Sequence, residues 1–356
     1  MPGLGSLTTS WLIYIEQIHR ISYLILKNER KIVNTMQNVL RADDIKPDFE
    51  GLKNKWEEML QKYYIDANML DPKYTLEIPC PHCGCEHTDN EFFLNGFCHK
   101  TCTKCKTLYV SPRLNDECIE ELYTDDYYSE MYTRSMLPVF EKRKQLIGRR
   151  KFNQTISYWG EGGGTGRVLD IGAGIGEVTD VFREEGWRSH AIEMNSVAVE
   201  WLQGRGHEEV FHGTLEAYET DLKFDIIMAW GVVEHVVDPD EFLKHVYNLL
   251  ATGGLFVSEV PHGQCFLIDM ARKTGMDPKR ILMGEQHIVL YSTQAYIDLH
   301  ERSGFKSVHF QTNGLDISTI FKESNISVEN EVLAPMQECI DEKRYGDLLR
   351  GFWRKP

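Results

Sequence analysis

The sequence predicts an α/β protein: a mostly parallel sheet with crossover helices, preceded by a helical segment and a small cysteine-rich ribbon. Three observations carry this. From residue 167 to about 312, short apolar runs alternate with amphipathic stretches, as strands joined by crossover helices do. Six of the nine cysteines, Cys80, Cys83, Cys85, Cys98, Cys102 and Cys105, fall within 26 residues. Near the start, Trp11, Ile15, Ile18, Ile25, Ile32, Met36 and Val39 recur at three-, four- and seven-residue intervals, one apolar stripe on a helix.

The 356 residues suit two or three folded units at roughly 150 residues each. Hydrophobic residues at 42% and charged residues at 26% are the balance of a globular chain, which excludes wholesale disorder. Lys and Arg number 39 against 54 Asp and Glu, a net charge of −15. Such a surface repels phosphate backbones, so nucleic acid is not an expected partner. No run approaches the ~20 apolar residues that span a bilayer. The run Trp11 to Ile15 soon meets Glu16, His19 and Arg20, so it lacks the core of a secretion signal. The expectation is a soluble, cytoplasmic protein without a membrane partner.

Four segments follow in order. Residues 1–75 read as helical: the first stripe ends at the turn Ala42–Pro47, and Leu52, Trp56, Leu60 and Tyr64 form a second at four-residue steps. This is either a hairpin packed on its own chain or an arm that makes a homodimer. Residues 76–133 hold the cysteines, a short helix over Asn115–Tyr123, and a loop with Tyr127, Tyr128 and Tyr132. Residues 134–312 carry the α/β pattern. They open with a basic stretch that includes Lys142, Arg143, Lys144, Arg149, Arg150 and Lys151, then a glycine hinge at Gly162–Gly164. The basic stretch reads as a solvated helix face, or else as a clamp for a phosphate on a ligand. Strands are expected at Arg167–Ile171, Arg188–Ile192, Phe224–Trp230 and Leu255–Val260, with helices at Glu177–Glu185, Ser196–Gln203 and Glu241–Leu250. Residues 313–356 are a C-terminal extension of mixed pattern.

Cys80-Pro-His-Cys83 and Cys102-Thr-Lys-Cys105 are two Cys-x-x-Cys pairs with eighteen residues between them. Each pair can bend its backbone round one ion, and the span allows a hairpin to join the pairs. Four thiolates in a tetrahedron suit Zn²⁺ and close its coordination sphere, which describes a structural site. Cys85, Cys98, His82 and His99 are neighbouring alternatives for the ligand set.

Val168-Leu-Asp170-Ile-Gly172-Ala173-Gly174-Ile-Gly176-Glu177 is an apolar strand entering a glycine turn and then a helix. The glycines let the backbone approach a ligand with no Cβ in the way. A dinucleotide fingerprint would need glycine at 177, where the chain has Glu177, and that carboxylate opposes a pyrophosphate at the helix N-terminus. A ligand with an amino-acid group and no phosphate is easier to place.

On these residues the segment from 165 to about 312 resembles the class I S-adenosylmethionine-dependent methyltransferases, whose domain is Rossmann-like. The resemblance implies S-adenosyl-L-methionine as cofactor. Asp170, Gly172, Ala173, Gly174 and Gly176 match the family's first motif, beside the methionine part. Glu193, ending the second strand with Met194 after it, matches the acid that bonds the ribose. Thr214, Leu215 and Glu216 follow the third strand, near the adenine position. Ala229 and Trp230 end the fourth strand, and Glu234-His235 looks like a segment common in ubiquinone-type methyltransferases. The ribbon through Tyr127 and Tyr128 is similar to the N-terminal module of bacterial sugar and polysaccharide-cluster methyltransferases.

That likeness implies a small polar acceptor, nucleotide-linked or phosphorylated among the options, and a base that takes its proton. His287, in Met-Gly-Glu285-Gln-His287, is the first choice of base and His235 the second. Glu234 would orient a base or a hydroxyl, and Tyr127 and Tyr128 would position the acceptor. The expected activity is methyl transfer to a hydroxyl of a sugar, nucleotide sugar or related metabolite. A sugar C-methyltransferase, an RNA or protein methyltransferase docking through the ribbon, and a non-catalytic scaffold are the alternatives. Residues 76–133 carry eleven acids against four bases, which weighs against the RNA reading.

Overall fold

The computed structural model describes residues 49–356 apart from residues 67, 125, 161–163, 279 and 280. The first apolar stripe, the expected homodimer arm and two glycines of the expected hinge lie outside the described residues. The elements below belong to one compact unit, residues 40–327 with 336–356.

Seven strands build the central sheet: β1 Arg167–Ile171, β2 Arg188–Glu193, β3 Glu209–His212, β4 Phe224–Trp230, β5 Leu250–Pro261, β6 Lys306–Asn313 and β7 Leu348–Arg354. Their order is β3-β2-β1-β4-β5-β7-β6. The first five strands are parallel, and β7 runs antiparallel to both its neighbours. Parallel strands need both faces covered, which is why β1 and β4 are nearly continuous apolar runs. Leu169, Ile171, Ile227 and Ala229 face one core layer. Val168, Ile226 and Met228 face the other, with Phe182 and Phe352.

Crossover helices Glu177–Glu184, Ser196–Gln203 and Pro239–Leu249 stand within two residues of the expected spans. Two carry local start signals. Asn195 accepts from the amides of Val197 and Ala198, and Asp238 caps a helix whose first residue is Pro239. The strand order reverses between β1 and β4, the place where open α/β sheets leave a crevice for ligands.

The last strand changes how the extension is read. Residues 348–354 are not appended to the sheet but inserted between β5 and β6. The run Leu-Leu-Arg-Gly-Phe-Trp-Arg looked irregular because its arginines interrupt the apolar pattern. Arg350 is buried against Glu259 of β5, and Arg354 reaches the carbonyls of Gly253 and Tyr158. Trp353 stacks on His300 at 4.1 Å and donates to Ser258.

The ribbon strands Thr88–Leu94, Phe97–Cys102 and Leu108–Val110 pair antiparallel, and Val289–Leu290 adds a fourth strand. Ahead of them, helix Phe49–Leu60 buries Leu52, Trp56 and Leu60, as the second stripe required. Asn115–Tyr123 was expected to be helical and Asp116–Thr124 is.

The basic stretch divides: Lys142 and Arg150 are exposed, as a solvated face would be, while four other cations are paired. Arg143 pairs with Glu177, Lys144 with Asp180 and Glu184, Arg149 with Glu185, and Lys151 with Glu259. Acids of the helix after the glycine turn and its end face Arg143, Lys144 and Arg149, and Glu259 of β5 faces Lys151, so this side of the stretch docks on the domain. Among the described residues, no helix is long and apolar enough to cross a membrane.

Candidate active site and metal centre

The glycine turn leaves β1 with Gly172 at φ 66° and Gly176 at φ 77°, both in the left-handed region. A Cβ at Gly172 would stand 2.7 Å from Val232, and one at Gly176 would stand 2.3 Å from Leu202. At Gly174 a Cβ would meet only Tyr132, at 3.7 Å, so this glycine leaves room open to a ligand.

Glu193 closes the turn from the next strand. Its Oε2 accepts from Gly174 N at 2.7 Å, and its Oε1 accepts from Met194 N and Asn195 N, each at 2.9 Å. Burial raises its pKa while the three amides oppose the rise. A carboxylate has about four lone-pair sites, so three amides leave it capacity for one further donor. Asp170 sits one step inside: it accepts from Thr179 Oγ1, and burial pushes its carboxyl up to about 7. It braces the turn against the following helix.

The other cofactor candidates divide. Gly213 N donates to Glu193 O, which brings Thr214 beside the acid, and Leu215 is buried. Glu216 is exposed and Met194 is 37% exposed. Ala229 and Trp230 face opposite layers, because successive strand residues alternate. Lys151 Nζ stands 4.2 Å from the Trp230 ring centre and the Arg350 guanidinium 5.2 Å.

Beyond β4 three groups converge. Glu234 is 3% exposed and its Oε2 has no hydrogen-bond partner, and burial raises its pKa to about 8. Its Oε1 lies 3.8 Å from His235 Nε2. His235 Nδ1 is 2.9 Å from Gln286 O, and His287 Nδ1 is 2.9 Å from Ile281 O. A carbonyl only accepts, so each ring donates from Nδ1. Burial lowers the His235 pKa to about 4, so the ring is neutral at pH 7. The rings lie 5.0 Å apart, and one ligand atom from each of the three residues falls within 4.8 Å of the others. Two imidazoles and a carboxylate so placed can accept a proton or take part in holding a cation. His262, a third histidine after β5, binds Gly346 O and faces Thr293, which ties it to the end of the chain.

Aromatic rings line the neighbouring segment. Trp56 Nε1 donates to Glu285 Oε1 at 2.8 Å, and Tyr127 packs against the Trp56 ring at 4.5 Å. Tyr128 meets Trp56 edge-on at 6.1 Å and Tyr132 at 6.4 Å. Burial raises the pKa of both Glu285 and Tyr127, the latter to about 12. The row Glu285, Trp56, Tyr128, Tyr132 thus runs from the segment after β5 to the glycine turn. Trp56 was read only as a stripe residue. Its indole N–H, at a helical position facing inward, was the signal available.

The four expected cysteines meet in the ribbon: Cys80, Cys83, Cys102 and Cys105 place their sulfurs within 4.8 Å of one another. Sγ separations are 3.5 Å for Cys80–Cys105, 3.6 Å for Cys83–Cys102 and 3.5 Å for Cys83–Cys105. A tetrahedron of Zn–S bonds of about 2.3 Å sets sulfurs about 3.8 Å apart, so the cluster fits a zinc ion with small adjustment. The alternatives fall away: Cys85 turns to His87 O and Thr103, His82 to Arg302, and His99 stacks on Phe92. Cys98 is outside the cluster.

Residues 140–310 match the family described as "Methyltransferase domain". The matched residues carry β1 to β5 and the helices between them, so this segment has the Rossmann-like α/β fold of methyltransferase domains. Among curated relatives, a ubiquinone biosynthesis O-methyltransferase of Bradyrhizobium sp. (strain ORS 278) is 33% identical over 96 residues, 26% of this chain and 38% of that protein. A probable S-adenosylmethionine-dependent methyltransferase of Mycolicibacterium smegmatis is 26% identical over 113 residues, 31% of this chain and 43% of its own. The chain therefore spans less than half the length of these relatives. A solved S-adenosylmethionine-dependent methyltransferase from Archaeoglobus fulgidus aligns over 65% of this chain and all of its own, at 22% identity and a TM-score of 0.43.

Proposed function

We propose that the protein transfers the methyl group of S-adenosylmethionine to a hydroxyl of a small polar acceptor, a sugar, nucleotide sugar or related metabolite. The carrying observation is one neighbourhood: the loop following β4 supplies Glu234 and His235, and the segment after β5 supplies His287, with one ligand atom of each within 4.8 Å of the others. A cradle stripped of side chains, with Glu193 at its edge, opens beside β1. When bound there, S-adenosylmethionine supplies an electrophilic methyl carbon on a sulfonium.

Gly174 lets the backbone approach the methionine part, Gly172 and Gly176 let the turn that presents it pack on Val232 and Leu202, and the remaining lone pair of Glu193 takes a ribose hydroxyl. His287 Nε2 receives the acceptor's proton as its oxygen bonds to the methyl carbon and the carbon–sulfur bond breaks, the electron pair staying on sulfur. Glu234, protonated over much of the neutral range, donates a hydrogen bond that orients the acceptor or His235. Trp56, Tyr127 and Tyr128 shield the site from water and offer ring faces to an acceptor. The four cysteines hold a structural zinc, which has no open position for catalysis.

The test is His287→Ala assayed against a panel of nucleotide sugars for the mass gain of one methyl group. Loss of a positioned base costs about 10²–10⁴ in rate. Cofactor affinity within twofold of the parent and a rate loss in that range support the role. Unchanged turnover removes His287 from the mechanism.

A further inference from the structure

The ribbon is joined to the domain at one particular place. Its third strand, Leu108–Val110, takes Val289–Leu290 as its neighbour, with Val289 opposite Tyr109 and Leu290 opposite Leu108. Val110 N donates to Ile288 O at 3.1 Å, the residue immediately after His287. Ser292 Oγ donates to the carbonyl of Cys105 at 2.7 Å. Gly284, next to Glu285, lies so close to the ribbon that a Cβ there would stand 2.5 Å from Phe97. Arg272 donates to Thr101 of the middle strand at 2.7 Å. Tyr109, the residue opposite Val289, packs with Cys80 and Cys102 in the small core round the sulfurs.

The other edge of this segment meets the end of β5: His262 bridges to Tyr291, and Gly263 N donates to Tyr291 O at 2.9 Å. A two-residue strand has little stability alone, so its place depends on the strands at either side. None of these contacts reaches the glycine turn or Glu193.

We propose that the ribbon is the positioning element of the acceptor side: its metal-held fold keeps Glu285 and His287 in place through Tyr109–Val289 pairing and the Phe97–Gly284 contact, while the cofactor cradle stands independently. This rests on the methyltransferase and zinc readings above. Because a small ribbon depends on its ion for folding, removing zinc loosens residues 281–291 first.

Hydrogen exchange on the full chain, with zinc and after chelation, tests the coupling without requiring any known acceptor. The expected result is at least tenfold faster exchange over residues 281–291, with exchange at residues 170–195 and S-adenosylhomocysteine affinity each within twofold. Unchanged exchange at 281–291, or equal acceleration at 170–195, overturns it. A second arm leaves the metal in place. Gly284→Val should retain zinc and S-adenosylhomocysteine affinity and speed exchange at 281–291 at least tenfold. The pair Gly284→Val with Phe97→Ala should recover at least half of the exchange protection. Failure of the pair to recover it counts against the contact. Absence of any methyl transfer would overturn the function while leaving the exchange result to judge the coupling.

Discussion

Glu193 shows how one carboxylate organises a cradle. It accepts from amides on two segments, Gly174 on one side and Met194 and Asn195 on the other. Glu193→Ala should therefore lose both the ribose partner and the turn's closure, lowering S-adenosylhomocysteine affinity at least tenfold by calorimetry. Trp56→Phe tests the opposite side of the site: it keeps the ring and deletes the N–H that Glu285 accepts. Acceptor KM should rise a fewfold with cofactor affinity unchanged, since a buried carboxyl left without that donor loses about 1–3 kcal/mol of local stabilisation. The glycines, Glu193 and the four cysteines were readable because motif spacing fixes their chemistry. Trp56 and the carbonyl of Gln286 were not, because contacts across 229 and 51 positions depend on tertiary packing.

At the scale of elements, β5 and β7 are joined by a buried cluster as well as by their ladder. Glu259 lies opposite Arg350, pairs with it and with Lys151, and is 6% exposed. Burial alone would raise its pKa, but the Arg350 and Lys151 charges hold it at about 2. A carboxylate held below its unfolded value stabilises the fold above pH ~4.5, and that stability is lost as pH falls towards 2. Glu259→Gln should thus lose about 3 kcal/mol or more at pH 7 in urea unfolding, with the difference from the parent shrinking below pH ~4. A constant difference across that range would contradict the assignment. The same cluster explains why β7 escaped the sequence: an internal arginine reads as a strand breaker until its buried partner is known. Strands β1 and β4 and helix Ser196–Gln203 were legible to the residue, since buried parallel strands and capped helices carry their own signals.

At the scale of the molecule, the proposed function divides among three parts of one chain: a cofactor cradle on the sheet, an acceptor wall on the segment after β5, and a ribbon that braces the wall. The purified protein should contain about one zinc per chain by elemental analysis. A folded preparation without zinc would overturn the ribbon reading. Cofactor binding at the cradle decides the rest, and calorimetry with S-adenosylhomocysteine measures it, comparing the parent chain with Gly174→Arg. The parent should bind in the micromolar range and the variant not at all, since its side chain fills the space beside Tyr132. No binding by the parent, or binding of a nicotinamide dinucleotide in its place, would contradict it.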